Sequence, residues 1–574
     1  MTQDQRRPFV ETYDTTLRDG SQGEGISYTV EDKLRLAEHL DAFGVTYIEG
    51  GWPGSNPKDA EFFARARERT FENARLAAFG STRRAGLAPE DDPNLQALIA
   101  AGTPVCTIFG KTWTLHVTEV LRTTLEQNLV MIEESVAFLR AAGKMVVYDA
   151  EHFFDGYRAD AGYALETLRA ARRGGAEVLV LCDTNGGSLP WDVEATVREV
   201  AQAVPGARLG IHVHDDTGCG VANTVAAVRA GARHVQGTIN GYGERCGNAN
   251  LSVIIPNLEL KLGFRCLEPG KLAGITELSR FVGDVANHLI DPRTPYVGRS
   301  AFAHKGGVHV AAMRRSPTSY QHIEPELVGN AMRVVVSELS GRANVLSKAE
   351  ELGVTVDAGA EVEALREIKE AEARGLSYES AEASVALLLK RRAPGYQPLF
   401  EILDYQVQVG RRRNSETFAE AVVKLRVGDE ILHTAAEGNG PVGALDAALR
   451  KALTPVYPVV QRIQLADYKV RILDSVAGTG AITRVLIDSR SESDAWSTVG
   501  ASSNIIEASL DALVDSIEYG LYLTGAEPPS EPLSSEARAL ARMSEPPPAP
   551  STRASEAPPS PAAATEAGSA RTSP

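Results

Sequence analysis

The segment GIHVHDDTG, residues 210–218, carries two histidines two positions apart. Side chains alternate between the two faces of a β-strand, so His212 and His214 are expected to point the same way. Two imidazoles on one face can bind a metal ion if further ligands come from elsewhere in the chain. The alternative is a pair of ordinary polar residues near a strand end, in a chain with only 11 histidines among 574 residues. A metal site would therefore need further ligands at the ends of other predicted strands.

Eight short apolar runs alternate with amphipathic helical segments over residues 1–270. The runs are FVETYDTT, VTYIEGGW, ARLAAFGS, TPVCTIFG, KMVVYDAE, VLVLCDTN, RLGIHVHD and HVQGTING. Between them lie segments such as VEDKLRLAEHLDAFG, which have apolar residues at helical spacing and end in glycine. This alternation requires parallel strand pairing, and eight strands close a (β/α)8 barrel, the TIM barrel. An open doubly wound sheet is the alternative, weakened because no GxGxxG motif follows the first run.

Polar residues stand at the carboxyl ends of most of these runs, where barrels of this type carry their function. They are Arg18, Asp19, Glu49, Asp149, Glu151, Asp183, Thr184, His212, His214, Glu244, Arg245 and Asn248. Asp19 and the two histidines form a mixed oxygen and nitrogen ligand set, with Asn248 as a neutral fourth ligand. Such a set suits Mg, Mn, Zn or Co and leaves coordination positions open for a substrate. Asp215 and Asp216, which follow the second histidine, either orient a ligand or cap a turn or helix.

The rest of the chain divides into three further segments by composition and periodicity. Residues 271–395 are predicted to be mostly helical, as in AGITELSRFVGDVANHL and VEALREIKEAEARG. Residues 396–525 contain predicted strands and two longer helices, a separate α+β domain. Residues 526–574 consist mainly of Pro, Ala, Ser and Glu, which predicts a disordered tail.

Charge and composition exclude several classes of function. The formal net charge is −16, which argues against nucleic-acid binding and against anionic membrane surfaces. The amino-terminal MTQDQRRPFV has no apolar signal segment, and the chain has no apolar run long enough to span a bilayer. The five cysteines form no CxxC pair. Together these features predict a cytoplasmic protein with reduced thiols.

Three motifs taken together resemble one known family. DTTLRDG, HVHDDTG and NGYGERCGN are similar to motifs of the metal-dependent Claisen-condensing barrels, whose members include 2-isopropylmalate, homocitrate and citramalate synthases. The resemblance covers nearly all of residues 8–525. The stretches YDAEHFFDGYRADAGYALETLRAA, LCDTNGGSLP and VQGTINGYGERCGNANLSVIIPNLELKL look most like the longer bacterial and archaeal citramalate synthase branch.

The resemblance implies a reaction and its competitors. An (R)-citramalate synthase joins acetyl-CoA to pyruvate and hydrolyses the thioester, on a route to isoleucine. A 2-isopropylmalate synthase, which takes 2-oxoisovalerate, is the nearest alternative. Acyl-CoA lyases share the barrel and the metal but lack the carboxyl-terminal domain. A metal-free paralogue that acts only as a sensor is disfavoured because every ligand type is present.

The resemblance also implies roles for residues at the strand ends. Asp19, His212, His214 and Asn248 match the divalent-metal positions. Arg18 matches the arginine that contacts the carbonyl of the 2-oxo acid, Thr184 a hydroxyl near its carboxylate, and Gln22 a glutamine near the substrates. Glu49 and Glu151 match glutamates of the reaction centre, and the role of Asp149 stays open because DAEH departs from the serine-rich equivalent of homocitrate synthases.

The segment FAHKGGVHVAAMRRSPTSY matches the piece that supplies a histidine and a tyrosine over the barrel mouth. It places them at His309 and Tyr320, with His304 as the competing histidine. In the implied mechanism His309, oriented by Glu151 or Glu49, removes a proton from the acetyl methyl group. Tyr320 donates to the thioester oxygen or to water, and no cysteine needs to react.

The carboxyl-terminal α+β domain resembles the allosteric domain of isopropylmalate and citramalate synthases. The similarity rests on EGNGPVGALDAALRKAL and AGTGAITRVLIDS. It implies a homodimer that binds a branched-chain amino acid, for which isoleucine is the expected effector. An inert dimerisation domain is the alternative.

Overall fold

The computed structural model describes residues 7–354, 359–411, 413, 417–473, 475–492 and 494–529. The chain divides into two compact units. The first consists of Met1–His304 and Ala311–Val334, and the second of Lys305–Val310 and Val335–Pro574. Among the described residues, no helix has both the length and the apolar character needed to cross a membrane.

A closed barrel of eight parallel strands lies within the continuously described residues 7–354. The strands are β1 (Glu11–Asp14), β2 (Tyr47–Gly51), β3 (Arg75–Ser81), β4 (Val105–Lys111), β5 (Met145–Glu151), β6 (Val178–Asp183), β7 (Leu209–Val213) and β8 (His234–Gly237). Strand β1 pairs with both β2 and β8, which closes the ring. The predicted TIM barrel is therefore confirmed, and the open doubly wound sheet is wrong.

Helices connect the barrel strands or follow the last of them. They are α1 (Val30–Phe43), α2 (Pro57–Ala66), α3 (Pro93–Ala100), α4 (Leu125–Ala141), α5 (Phe153–Ala159), α6 (Ala161–Gly174), α7 (Pro190–Ala203), α8 (Gly220–Ala230), α9 (Leu251–Pro256) and α10 (Ile275–Ala286). Helix α1 shows how the sequence sets their ends. Thr29 and Asp32 form a reciprocal capping box at its start, and Gly44, at φ 101°, ends it in the left-handed conformation.

Two layers of buried side chains hold the barrel together. The larger core lies between the strands and the surrounding helices and includes Ile48, Ile108 and Leu181. A smaller cluster of strand residues, among them Tyr13 and Tyr47, fills the barrel interior. Because the barrel interior is filled with packed side chains, it gives rigid support to the polar residues at the carboxyl ends of the strands.

The first unit ends in short elements after the barrel. Strand β9 (Ala303–His304) pairs in parallel with β10 (Arg333–Val334). Helix α11 (Gly307–Met313) lies between them in the sequence, and a 3-10 turn, Pro317–Ser319, precedes Tyr320.

The second unit begins with three helices and continues with two antiparallel sheets in its described part. The helices are α12 (Arg342–Glu351), α13 (Ala360–Ala373) and α14 (Glu382–Lys390). One sheet contains β11 (Glu401–Arg411), β12 (Thr417–Val427) and β13 (Glu430–Gly438), followed by α15 (Pro441–Leu453). The other contains β14 (Gln464–Ile472), β15 (Thr483–Arg490) and β16 (Ala495–Ser502), followed by α16 (Ile505–Leu523). The α+β fold predicted for residues 396–525 is confirmed.

The predicted domain boundaries at 270, 395 and 525 stay predictions. Contacts between α14 and α16 cross residue 395, since the Ser384 hydroxyl donates to Asp515 Oδ2 over 2.7 Å and Arg391 donates to Asp515 Oδ1 over 2.7 Å. Of the predicted disordered tail, residues from 530 onward lie outside the described residues.

Candidate active site

Asp19, His212 and His214 converge at the carboxyl end of the barrel. One ligand atom from each residue lies within 4.8 Å of the other two. Asp19 Oδ2 is 3.4 Å from His212 Nε2 and 4.0 Å from His214 Nε2, and the two Nε2 atoms are 3.4 Å apart. All three side chains are buried. Two imidazole nitrogens and one carboxylate oxygen that face each other at these distances fit a divalent metal ion.

Asn248 lies beside this trio. Its backbone forms an isolated antiparallel bridge with His214, and its amide Nδ2 donates to the carbonyl oxygen of Tyr242 over 3.0 Å. Gly243, at φ 153°, makes room for that amide, because a Cβ there would lie 2.2 Å from Nδ2. The Oδ1 of Asn248 is buried and has no hydrogen-bond partner within the described residues. A buried carbonyl oxygen without a donor is costly, so it suits a bound cation.

The surroundings favour the deprotonated form, which a metal requires, for Asp19 and His214, whereas Asp19 raises the pKa of His212 against the effect of burial. Burial by itself would raise the pKa of Asp19, but the positive charge of Arg18 holds that pKa well below its usual range. Burial lowers the pKa of His214 to about 4, with a further contribution from repulsion by His212. At neutral pH Asp19 is therefore a carboxylate and His214 a neutral imidazole.

Arg18 is fixed by contacts on three sides. Its Nε donates to Glu49 Oε1 over 2.6 Å, and its Nη1 lies 3.2 Å from Asp19 Oδ2. The guanidinium carbon is 3.8 Å from the ring centroid of Phe79. Glu49 is fully buried, and its Oε2 accepts a 2.7 Å hydrogen bond from the Tyr13 hydroxyl. These contacts make Glu49 the anchor of Arg18; its predicted role in orienting His309 stays a prediction.

Asp149 is buried on β5, and its neighbours explain its charge state. Burial, together with the nearby charge of Glu49, raises the pKa of Asp149 to about 7. Its Oδ1 accepts a 2.9 Å hydrogen bond from Gln236 Nε2, and Gln236 Oε1 lies 3.0 Å from His212 Nδ1. No sequence motif singled out Gln236. Because it lies two residues after His234 on β8, the sequence does place the two side chains on the same face of that strand.

Glu151 and Thr184 lie at the ends of neighbouring strands. Glu151 forms an ion pair with Lys111, at the end of β4. Thr184 follows β6, and its Oγ1 accepts a 2.9 Å hydrogen bond from the backbone N–H of His152. The hydroxyl proton of Thr184 therefore does not serve that bond and can be donated elsewhere.

The two aspartates after His214 have separate structural roles. Asp215 Oδ1 accepts a 2.6 Å bond from the Gly220 amide at the start of α8. Asp216 accepts bonds of 2.7 and 2.8 Å from the Nε and Nη2 of Arg245, whose Nη2 also donates to the carbonyl oxygen of Thr184 over 2.8 Å. Asp215 thus takes the helix-capping alternative. Arg245, after β8, links Asp216, after β7, to Thr184, after β6.

The remaining predicted residues lie in exposed or partly exposed segments. Gln22 ends the 3-10 turn Gly20–Gln22 with an exposed side chain, and Tyr320 is half exposed in the first unit. His304 lies on β9 and is partly buried. His309 belongs to the second unit, where it lies exposed on α11.

Comparison with known proteins covers almost the whole folded chain. Residues 10–282 match the HMGL-like family, residues 296–375 the homocitrate synthase post-HMGL domain-like family, and residues 379–521 the LeuA allosteric (dimerisation) domain. The (R)-citramalate synthase of Geobacter sulfurreducens is 52% identical over 517 residues, which is 90% of this chain and 98% of that protein. The (R)-citramalate synthase of Streptomyces coelicolor is 50% identical over 90% of this chain and 97% of that protein.

This chain belongs to the (R)-citramalate synthase family. A 2-isopropylmalate synthase of Lysinibacillus sphaericus is more distant, at 30% identity over 89% of this chain and 98% of that protein. The predicted citramalate synthase branch is therefore confirmed over the isopropylmalate alternative. As a member of this family the chain is an enzyme of the acyltransferase class, with an HMGL-like barrel and a LeuA allosteric domain.

Proposed function

We propose that this chain condenses acetyl-CoA with pyruvate and hydrolyses the thioester, which releases (R)-citramalate and CoA. The observation that carries the proposal is the identity of 45–52% to five curated (R)-citramalate synthases, each aligned over about nine-tenths of this chain. Isopropylmalate synthases align over the same length at only 30–32% identity.

We assign a divalent metal, one of Mn, Mg, Co or Zn, to Asp19, His212, His214 and Asn248. The mutual approach of the three ionisable ligands and the unpartnered oxygen of Asn248 support this assignment. When bound, the metal would polarise the carbonyl of the 2-oxo acid as a Lewis acid.

Arg18 and Thr184 bind the 2-oxo acid in this proposal. Because Glu49 and Phe79 hold the guanidinium beside Asp19, its positive charge is fixed where an alkoxide would form, and no reorganisation is needed as charge develops. The Thr184 hydroxyl accepts a hydrogen bond from His152 N and donates one to the carboxylate of the 2-oxo acid. Gln22 lies near the substrates on the turn that follows Asp19.

His309 is the proposed base, and Glu151 the carboxylate that orients it. His309 removes a proton from the acetyl methyl group, and the resulting enolate carbon bonds to the keto carbon of pyruvate. The carbonyl electron pair moves to oxygen, which then takes a proton. Water adds to the thioester, the CoA thiol leaves, and Tyr320 donates a hydrogen bond to the thioester oxygen or to the water.

We further propose a cytoplasmic homodimer inhibited by isoleucine. The LeuA allosteric (dimerisation) domain match over residues 379–521 supports the dimer and an allosteric site. Isoleucine is the effector that the resemblance to citramalate synthases implies. The five cysteines form no CxxC pair, a pattern from which the sequence predicts reduced thiols in a reducing compartment. Hydrogen exchange with and without isoleucine tests the effector: protection is expected in residues 396–525, whereas protection only in the barrel would contradict this placement.

Product analysis tests the reaction. The purified enzyme with acetyl-CoA, pyruvate and Mn²⁺ is expected to release CoA and citramalate in a one-to-one ratio, with the R enantiomer identified by chiral chromatography and mass spectrometry. CoA release without citramalate, or with the acetyl group recovered as acetate, would contradict the proposal.

A further inference from the structure

A chain of hydrogen bonds runs through the barrel interior behind the proposed metal site. Gln236 on β8 is completely buried. Its Nε2 donates to Asp149 Oδ1 on β5 over 2.9 Å, and its Oε1 lies 3.0 Å from His212 Nδ1 on β7. The mechanism proposed above uses neither Gln236 nor Asp149, so these two buried polar groups need another explanation.

The direction of this chain follows from the chemistry of its members. Gln236 Nε2 donates to Asp149 Oδ1, so the N–H side of the Gln236 amide faces Asp149. The amide oxygen of Gln236 then faces His212, and Nδ1 of His212 must be the nitrogen that carries the proton. A neutral imidazole has one N–H, so Nε2 of His212 keeps its lone pair.

The free lone pair is on the atom that the proposed metal site requires. Nε2 of His212 is the atom 3.4 Å from both Asp19 Oδ2 and His214 Nε2. The other histidine has no comparable support, since His214 Nδ1 is buried without a hydrogen-bond partner in the described part of the chain. The barrel therefore sets the tautomer of one histidine of the pair.

We propose that Gln236 and Asp149 are positioning residues that fix the tautomer and ring orientation of His212 for metal binding. This inference rests on the proposed metal site. The amide places an acceptor behind His212 without a negative charge of its own, in an interior that already holds Asp149 and Glu49. Residues that orient metal-ligating histidines typically change metal affinity by about 10–100-fold when they are replaced.

Mn²⁺ affinity of the full-length, chelator-stripped protein tests the proposal, with free Mn²⁺ measured by electron paramagnetic resonance. Gln236→Met removes the acceptor and is expected to weaken binding by about 10–100-fold. Asp149→Asn is expected to weaken it as well, because an asparagine N–H can pair with Gln236 Oε1 and turn the Gln236 N–H toward His212. Gln236→Glu keeps an acceptor for Nδ1–H, and a proton held between its carboxyl group and Asp149 can replace the amide N–H, so its affinity is expected to fall much less than that of Gln236→Met.

Two controls separate the possible failures. Tyr47→Phe removes another buried hydroxyl of the barrel interior, which lies 3.3 Å from Glu11, and should leave Mn²⁺ affinity unchanged. Native affinity in Gln236→Met would overturn the inference, and if that variant does not fold, native affinity in Asp149→Asn would overturn it. Native affinity in His212→Ala would instead overturn the proposed metal site itself.

Discussion

Arg18 and Glu49 form a buried ion pair in which Nε of the arginine donates to Oε1 of the glutamate over 2.6 Å. Tyr13 donates to the other carboxylate oxygen, and Glu49 is fully shielded from solvent. The pair therefore behaves as one fixed unit. The pair places a positive charge beside Asp19, and we propose that Glu49 is a positioning residue for Arg18.

Glu49→Gln tests this relationship. An amide cannot hold the guanidinium by charge, and small misplacements of a catalytic group cost about a hundredfold in rate. We expect kcat/KM for pyruvate to fall by about that factor while the Mn²⁺ affinity stays near native. Tyr13→Phe, which removes the hydrogen bond to Oε2 and another with Thr107 Oγ1 but keeps the charge of Glu49, is the matched control and should be milder. A Glu49→Gln enzyme with native kcat/KM would rule out the anchoring role.

Loss of a metal ligand should abolish turnover. His212→Ala and Asp19→Ala are each expected to remove activity and to leave the far-ultraviolet circular dichroism of the barrel near native. A chelator should inactivate the native enzyme in the same way, and Mn²⁺ or Mg²⁺ should restore it. Full activity of His212→Ala in metal-depleted buffer would refute the ligand assignment.

The proposed base has a natural comparison five residues upstream. His309→Ala is expected to lower kcat by at least about a hundredfold with Mn²⁺ affinity unchanged, because a positioned base contributes about 10²–10⁴-fold. His304→Ala should have a much smaller effect. If steady-state kinetics show the reverse order, the assignment of roles across residues 302–320 is wrong.

Much of this architecture could be predicted from the sequence because its signals are local. The period-two spacing of His212 and His214, and the strand-end position of Asp19, are enough to bring the three ligands to one rim of a barrel. Gln236 and Tyr13 were not predicted as site residues because their roles depend on which side chains meet across the barrel interior. No local spacing reports those contacts.

Alternatives that depend on a single hydrogen bond also needed the structure. The sequence could not decide whether Asp215 orients a ligand or caps a helix; the bond from the Gly220 amide decides for the cap. The family resemblance implied that Glu49 is a glutamate of the reaction centre. Its hydrogen bond with Arg18 forms because the guanidinium also packs against the Phe79 ring. The spacing of these residues in the sequence does not indicate that contact.

Asp14 gives the fold a specific dependence on pH. Burial raises the pKa of this carboxyl from 3.8 to about 7, against hydrogen bonds from Thr16 that lower it. The folded state therefore binds the proton more tightly than the unfolded chain, so the contribution of Asp14 to stability falls as pH rises from about 4 to 7. Asp14→Asn removes this titration.

Urea unfolding at several pH values measures the effect of Asp14. The stability of Asp14→Asn relative to the native enzyme should increase by at least about 1 kcal/mol between pH 4.5 and pH 7.5. The difference between the two proteins, and not the native curve alone, isolates this carboxyl from other titrating groups. A stability difference that does not change with pH would contradict the account of Asp14.

The choice of 2-oxo acid tests the central claim most directly. Free CoA release from acetyl-CoA should be measured with pyruvate and with 2-oxoisovalerate in parallel, over a range of concentrations that defines kcat/KM for each. Pyruvate should be preferred by at least about tenfold, because each additional buried methyl group can change discrimination by about 1–3 kcal/mol. Equal or better use of 2-oxoisovalerate would contradict the citramalate synthase assignment and support isopropylmalate synthesis.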